Sequence, residues 1–307
     1  MFSYLEGHQQ PVYAVAYTRD GKHLVTGGFD KTIKIWDRAT GKPIRTLADH
    51  ADRVLAVAVS ADGKQLASSG LEKTILVYDL VAAVTAPAEG APPLAPRLKL
   101  AGHTERVYSL DFSPDSVQLA STGADKTIKF WNVSDGANYA NAAGHTAEVY
   151  TVAFRPGASE VASASADKSI RRWQSSDGKP LQELTSGVTD GLYTLCWSPD
   201  GARLVAAGLA KTWQLWNVGD EQPVKTVAGH RDYIYRATFS PSGLRLATLG
   251  YTGQLIVWDV ETIQPLLQEN LPLRSAFNVA WSPDGAQLAI TGADPRVMLV
   301  ALPDNAR

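Results

Sequence analysis

The sequence predicts an all-β fold: seven small antiparallel sheets of similar build, stacked radially about one axis. Three observations carry that prediction. First, segments such as DGKHLVTGGFDKTIKIWD, DGKQLASSGLEKTILVYD, DSVQLASTGADKTIKFWN and EVASASADKSIRRWQ recur in order along the 307 residues. Second, their spacing is regular. The His of each Gly-His or Asp-His pair falls at His8, His50, His103, His145 and His230, and the same alignment puts Val188 and Pro272 in the two missing places. Successive differences of 42, 53, 42, 43, 42 and 42 residues are one period with a single insertion. Third, the runs between turns are short and rich in branched and aromatic residues, and none has a helical period.

Each unit reads in the same way from its His origin. In the third unit, Val107 to Phe112 is a first strand, closed by the turn Ser113-Pro114-Asp115-Ser116. Gln118 to Thr122 is a second strand, Gly123-Ala124-Asp125-Lys126 a tight turn, and Thr127 to Trp131 a third strand. Twenty-two residues beyond the origins stand Asp30, Glu72, Asp125, Asp167, Ala210, Thr252 and Asp294. Twenty-eight beyond stand Trp36, Tyr78, Trp131, Trp173, Trp216, Trp258 and Val300, so all seven units keep both spacings. A sheet this small cannot bury both of its faces alone. In a ring, each sheet covers its neighbour.

The totals set several function classes aside. Lys and Arg number 29 against 31 Asp and Glu, so no summed positive field exists to hold a nucleic acid or an anionic membrane. One cysteine removes any disulfide framework and any Cys-rich zinc site. With 45% hydrophobic and 20% charged residues the chain has enough apolar material for a large core and is not of disordered composition. No run approaches the ~18 apolar residues of a membrane helix, and MFSYLEGHQQ lacks the order of a signal peptide. The chain as given is therefore expected to be soluble and cytoplasmic. It is either a whole small protein or a domain of a longer one, and in the second case its compartment is set by the remainder.

The Gly-His start, the Ser-Pro-Asp-Gly turn and the Asp-Lys-Thr-Ile-Lys-Ile-Trp-Asp ending resemble the WD-repeat (tryptophan-aspartate) family over essentially the whole chain. The resemblance implies one seven-bladed β-propeller of four-stranded antiparallel blades, with repeats starting near residues 7, 49, 102, 144, 187, 229 and 271. Each family repeat supplies the outer strand of one blade and the inner three of the next. Phe2 to Leu5 then stand where an outer strand belongs, and repeat seven stops soon after Val297 to Leu302, so the amino-terminal strand is expected to close the ring. The near-identical repeats and frequent Ser-Pro-Asp-Gly turns resemble bacterial members.

A His and an Asp at fixed spacing invite a catalytic reading. In the family, however, these residues form a buried hydrogen-bonded set running from His to Asp, with a strand Ser or Thr linking to the Trp indole. Here the set is His8, Thr26, Asp30 and Trp36 in blade one, His103, Ser121, Asp125 and Trp131 in blade three, and His145, Ser163, Asp167 and Trp173 in blade four. Five of the six His occupy such positions in different blades, so they do not converge on one metal or nucleophile. Blade two substitutes Glu72 and Tyr78, blade five has Val188 and Ala210, blade six Thr252, and blade seven Pro272 and Val300. Blades five to seven thus lack the full set: either packing suffices there, or that arc is freed for another use. Gly123-Ala124-Asp125-Lys126-Thr127 lacks the Gly-Lys-Ser/Thr of a phosphate loop and leads into a strand. Cys196, in Leu195-Cys196-Trp197, reads as an inert buried thiol. No acid and base pair, metal site or cofactor site is apparent, so the chain is not expected to be an enzyme.

Family members place three positions per repeat on the narrow top of the propeller. The one five residues past the origin reads Tyr13, Leu55, Tyr108, Tyr150, Tyr193, Tyr235 and Phe277, which takes five of the eleven tyrosines. The residues before the tight-turn Asp include Phe29, Leu209 and Tyr251, and those three past the origin include Arg53, Arg106, Glu148 and Tyr233. These fourteen residues form the expected partner-binding face, densest at Tyr193, Tyr233, Tyr235, Tyr251 and Phe277. Tyrosine offers large contact area at low entropy cost. The alternative is that the rings only stack on one another and fill the channel.

The leading expectation is a non-catalytic scaffold, a monomeric propeller that holds a protein or peptide segment on its top face, with no nucleic acid, membrane, cofactor or metal. Two alternatives stay open: a propeller enzyme of the lactonase or quinoprotein type, and a reader of methylated ammonium groups at Glu148 and Tyr150. The insertion, about residues 80–97 in DLVAAVTAPAEGAPPLAPRLKL, is Ala/Pro-rich and expected to be an extended, poorly packed loop on the opposite face, either solvated or a strap for another domain.

Overall fold

The computed structural model describes residues 2–85, 87 and 92–306. Within them lie seven four-stranded antiparallel sheets, the blades of a propeller. The innermost strands, which line the central channel, are Val12–Tyr17, Val54–Val59, Val107–Phe112, Val149–Phe154, Leu192–Trp197, Ile234–Phe239 and Ala276–Trp281. Six blades take four strands consecutive in sequence. The seventh pairs Val297–Ala301 with the amino-terminal Phe2–Leu5, in the register Phe2↔Val300 to Leu5↔Val297, and this closes the ring.

Burial follows radial position. In blade one the second strand, His23–Gly28, is buried from Leu24 onward, because neighbouring blades cover both of its faces. The outer strand, Pro43–Leu47, buries only Leu47 fully. The core is accordingly a set of layers between blades. Val25, Ile33 and Ile35 of blade one pack with Val54, Leu66 and Tyr78 of blade two. Leu5, Val297 and Leu299 of the closing blade pack with Val12, Leu24 and Trp36 of blade one.

The insertion departs from expectation at its start. Leu80–Val84 is a short helix whose Asp79 cap accepts a 3.0 Å hydrogen bond from the Ala82 amide. Leu80 and Ala83, three apart on one helix side, are buried in the layer between blades one and two, and Leu94 packs beside them. Arg45 donates to the carbonyls of Ala83 and Thr85 at 3.1 and 2.6 Å. Proline begins only at Pro87, which leaves an Ala-rich turn free to form behind a good cap. The segment connects the third strand, Ile75–Asp79, to the fourth, Leu98–Leu100. Residues 86 and 88–91, the middle of the expected loop, lie outside the described residues.

Candidate functional site

One backbone device, repeated seven times, builds the top of the channel. In every innermost strand the pairing skips a residue: between Val12 and Ala14, Val54 and Ala56, Val107 and Ser109, and at the equivalent places of the other blades. The skipped residue is the one five past the origin. A bulge leaves its residue unpaired and re-aims its side chain. The partner strand must accommodate the displaced backbone, and a Cβ at Gly123 would lie 2.2 Å from the Arg106 carbonyl oxygen. At Gly123 the close carbonyl therefore excludes a side chain, whereas blade four accommodates Ser165 at the equivalent place.

The bulged side chains meet over the channel. Ring centroids are 5.0 Å apart for Tyr108 and Tyr150, 5.1 Å for Tyr150 and Tyr193, 5.4 Å for Tyr193 and Tyr235, and 5.1 Å for Tyr13 and Phe277. The Tyr13 and Tyr235 hydroxyls share a 2.6 Å hydrogen bond across the mouth. Phe29 stacks on Tyr13 and Phe277, and Tyr251 touches Tyr235 and Phe277. Tyr233 and Tyr251 stack at 4.9 Å with planes 23° apart, and Tyr193 adjoins the pair at 5.8 Å. Leu55 is a correction to the expected face: at 6% exposure it offers almost no surface, whereas Leu209 is 38% exposed. The rings do stack on one another, yet each stays partly exposed.

Charge enters at the rim. Glu148 Oε2 accepts hydrogen bonds from the Tyr108 hydroxyl at 3.1 Å and the Tyr150 hydroxyl at 2.8 Å, and Arg106 lies 3.5 Å from Oε1. Burial first, and the Glu148 carboxylate second, push both phenols up, so they stay protonated as donors. Burial also raises Tyr13, Tyr193, Tyr233 and Tyr235. Arg53 sits 4.7 Å over the Phe29 ring, and Arg106 5.7 Å over that of Tyr108. Glu148 is thus matched by two phenols and a guanidinium, which weakens its fitness as the anion of an ammonium cage.

The His, Asp and Trp positions form separate columns inside the blades. In blade three His103 contacts Asp125 at 2.7 Å and Ser121 at 2.7 Å, and the Trp131 indole donates to Ser121 at 2.8 Å. The same chain joins His8, Asp30, Thr26 and Trp36, and His145, Asp167, Ser163 and Trp173. Blade two keeps more of it than expected, since His50 reaches both Glu72 and Ser68, while Tyr78 turns to Asp49. Blade six keeps His230, Thr248 and Trp258, and Gln254 accepts from the Arg231 amide at 2.9 Å. Asp167 accepts from the Thr146 and Ser169 amides and the Ser169 hydroxyl as well as contacting His145. We therefore expect Asp167→Ala to cost about 1.5–3 kcal/mol. Thr252→Ala, on the surface, is expected to cost less than about 0.5 kcal/mol. Equal midpoint shifts of the two variants in urea would contradict the assignment.

Below the rings runs a channel, in two compartments of about 460 and 660 Å³ that share Arg19, Asp111, Cys196 and Thr238. At the position of Asp111 the other blades carry Ala16, Ala58, Ala153, Cys196, Thr238 and Ala280, and that uncharged background of small residues was the available signal for it. Cys196 lines this channel as well as packing against the core, and burial pushes its thiol up to about 12. Asp111 accepts a 2.7 Å hydrogen bond from the Phe154 amide, and burial pushes its carboxyl up to about 7. A carboxyl raised in the folded state favours folding while protonated. That contribution is complete below the unfolded value near 4 and is lost as pH rises through 7. Asp111→Asn is therefore expected to gain on the parent chain between pH 5 and pH 8, by at most about 2.7 kcal/mol. A stability difference independent of pH would refute this. Among the described residues no group of three or more His, Cys, Asp or Glu is placed to hold a metal ion.

Comparison with known proteins agrees with this geometry. Residues 106–298, more than half of the chain, match the family model of the IFT122 first beta-propeller, and residues 2–37 and 41–79 match that of the WD domain, G-beta repeat. The chain is 40% identical over 50 residues to the dynein assembly factor with WD repeat domains 1 of Danio rerio, a match covering 16% of this chain and 12% of that protein. It is 49% identical over 47 residues to an uncharacterized WD repeat-containing protein of Synechocystis sp., covering 15% and 14%. It is 54% identical over 37 residues to the vegetative incompatibility protein HET-E-1 of Podospora anserina, covering 12% and 3%. The matched segments thus span only a small part of each relative's length.

Proposed function

This chain belongs to the WD-repeat β-propellers, in the family of the IFT122 first beta-propeller, and on that premise we propose that it is a non-catalytic scaffold holding a protein or peptide segment on its aromatic top face. The observation that carries the reading is the stacked Tyr233 and Tyr251 pair, continuous with Tyr193, Tyr235 and Phe277. A joined, partly exposed aromatic surface supplies contact area with few rotatable bonds to freeze, together with hydroxyls to satisfy a partner's backbone. The occupant is an extended segment with an apolar or aromatic anchor over blades five to seven, flanked by Leu209. Arg53 and Glu148 add polar contacts at the rim.

The dynein assembly factors are, by their name, factors in dynein assembly, which supports a role through contact rather than chemistry. A monomeric propeller, a cytoplasmic location and a bacterial source belong to the same proposal. The relatives come from frog, fish, mammals, a fungus and a cyanobacterium. No helix among the described residues is long and apolar enough to cross a membrane. Selection of a displayed peptide library on the immobilised propeller tests the reading. Recovered peptides are expected to share an aromatic or branched apolar anchor and to be lost on the Tyr233→Ala, Tyr251→Ala variant. Peptides retained equally by parent and variant would place the site elsewhere.

A further inference from the structure

The layer of the channel beneath the aromatic rings is uneven in charge. One residue past each bulge stand Ala14, Ala56, Ser109, Thr151, Thr194, Arg236 and Asn278. Six are small or of moderate size, and one is an arginine. The Nε of Arg236 is buried with no hydrogen-bond partner among the described residues. Its guanidinium takes part in none of the ion pairs found among them. It follows the bulged Tyr235 in the chain and lines the channel, and its charge acts on the Tyr13 and Tyr235 phenols.

A half-buried guanidinium whose Nε has no partner gains from a counter-charge. Water meets it in part. An oxyanion meets it better, because the planar fork of Arg matches two oxygens at once. The neighbours suit that ligand. Asn278 spends its side-chain oxygen on the Val279 amide at 2.9 Å, which leaves its NH2 as a donor on the channel wall. Arg19 adds a second cation lower down and acts on Asp111. Asp111 is the carboxylate on this wall, and its raised titration keeps it partly neutral near pH 7. The hydroxyl pair of Tyr13 and Tyr235 spans part of the upper end, and the lower compartment reaches Pro199, Pro241 and Pro283.

We propose that this channel is a binding site for a small oxyanion, whose oxygens face the Arg236 guanidinium and the Asn278 amide. The site is independent of the top face and needs no partner protein.

Isothermal titration calorimetry with sulfate, and separately with acetate, at ionic strength held constant with chloride, tests the proposal on the full chain. At least one anion is expected to bind saturably at one site, with sulfate alone indicating a tetrahedral ligand and acetate alone a carboxylate. Arg236→Met, of similar length and uncharged, is expected to weaken binding tenfold or more. Arg236→Lys keeps the charge but not the fork, and should bind between the two, which guards against a Met variant that misfolds. The Tyr233→Ala, Tyr251→Ala variant should bind the anion like the parent, so failure of the top-face reading leaves this result intact. Absence of saturable binding of either anion, or equal affinity in parent and Arg236→Met, would overturn it.

Discussion

Trp131→Ala is expected to lose about 3–5 kcal/mol of stability, the range for emptying a fully buried large aromatic site. Trp131 is 1% exposed and lies in the layer between blades two and three with Ala58, Ala67 and Val77. It is packed so tightly that a Cβ at Gly102 would come within 3.0 Å of its ring. Its indole also completes a chain of polar groups through Ser121 and His103 to Asp125. Trp131→Phe separates the two contributions: it keeps most of the ring and deletes the donor, for an expected loss of about 1–2 kcal/mol. Trp216 occupies the same position in blade five, but there Ala206 replaces the strand Ser or Thr, and the Trp216 indole nitrogen has no partner among the described residues. Trp216→Phe is accordingly expected to cost less than Trp131→Phe. Urea denaturation of both gives the comparison directly, and equal losses would show that the polar column adds nothing beyond packing.

That contrast also shows what was legible in the sequence. The His, Asp and Trp spacings describe backbone geometry that every blade must satisfy, so they repeat and are easy to read. The ring closure by Phe2–Leu5 follows from counting strands. Less legible were replacements that keep a role with a different residue. Glu72 reaches His50 with one more methylene, and Gln254 takes over the loop amide that an Asp holds in other blades. The short helix at Leu80–Val84 was hidden by proline-rich composition that begins only after it. The bulge lies in the hydrogen-bond register, which has no residue signature beyond the facing glycine, and blade four carries Ser165 there instead. Asp111 was not legible because it occurs once, at a position where no other blade carries a charge.

The burial of blade six predicts its acid response as well. His230 has no acid partner, and burial alone holds it down at about 4. A His lowered in the folded state favours folding while neutral, so its contribution is present above pH 6.5 and lost as pH falls toward 4. This opposes the trend from Asp111 across the same interval.

For the top face, Tyr233 and Tyr251 carry the largest expected binding effect. Both project from the arc where the polar columns are least complete, so their removal leaves the His, Asp and Trp sets of blades one, three and four untouched. Anchor residues of this kind commonly cost about 2 kcal/mol or more on truncation, and a factor of ten in affinity is 1.4 kcal/mol. The most direct test of the account is therefore the dissociation constant of a selected peptide for the parent chain and for Tyr233→Ala, Tyr251→Ala, each first shown to melt cooperatively. The account predicts a loss of roughly 100-fold or more in the folded variant. An unchanged dissociation constant in that folded variant would contradict it.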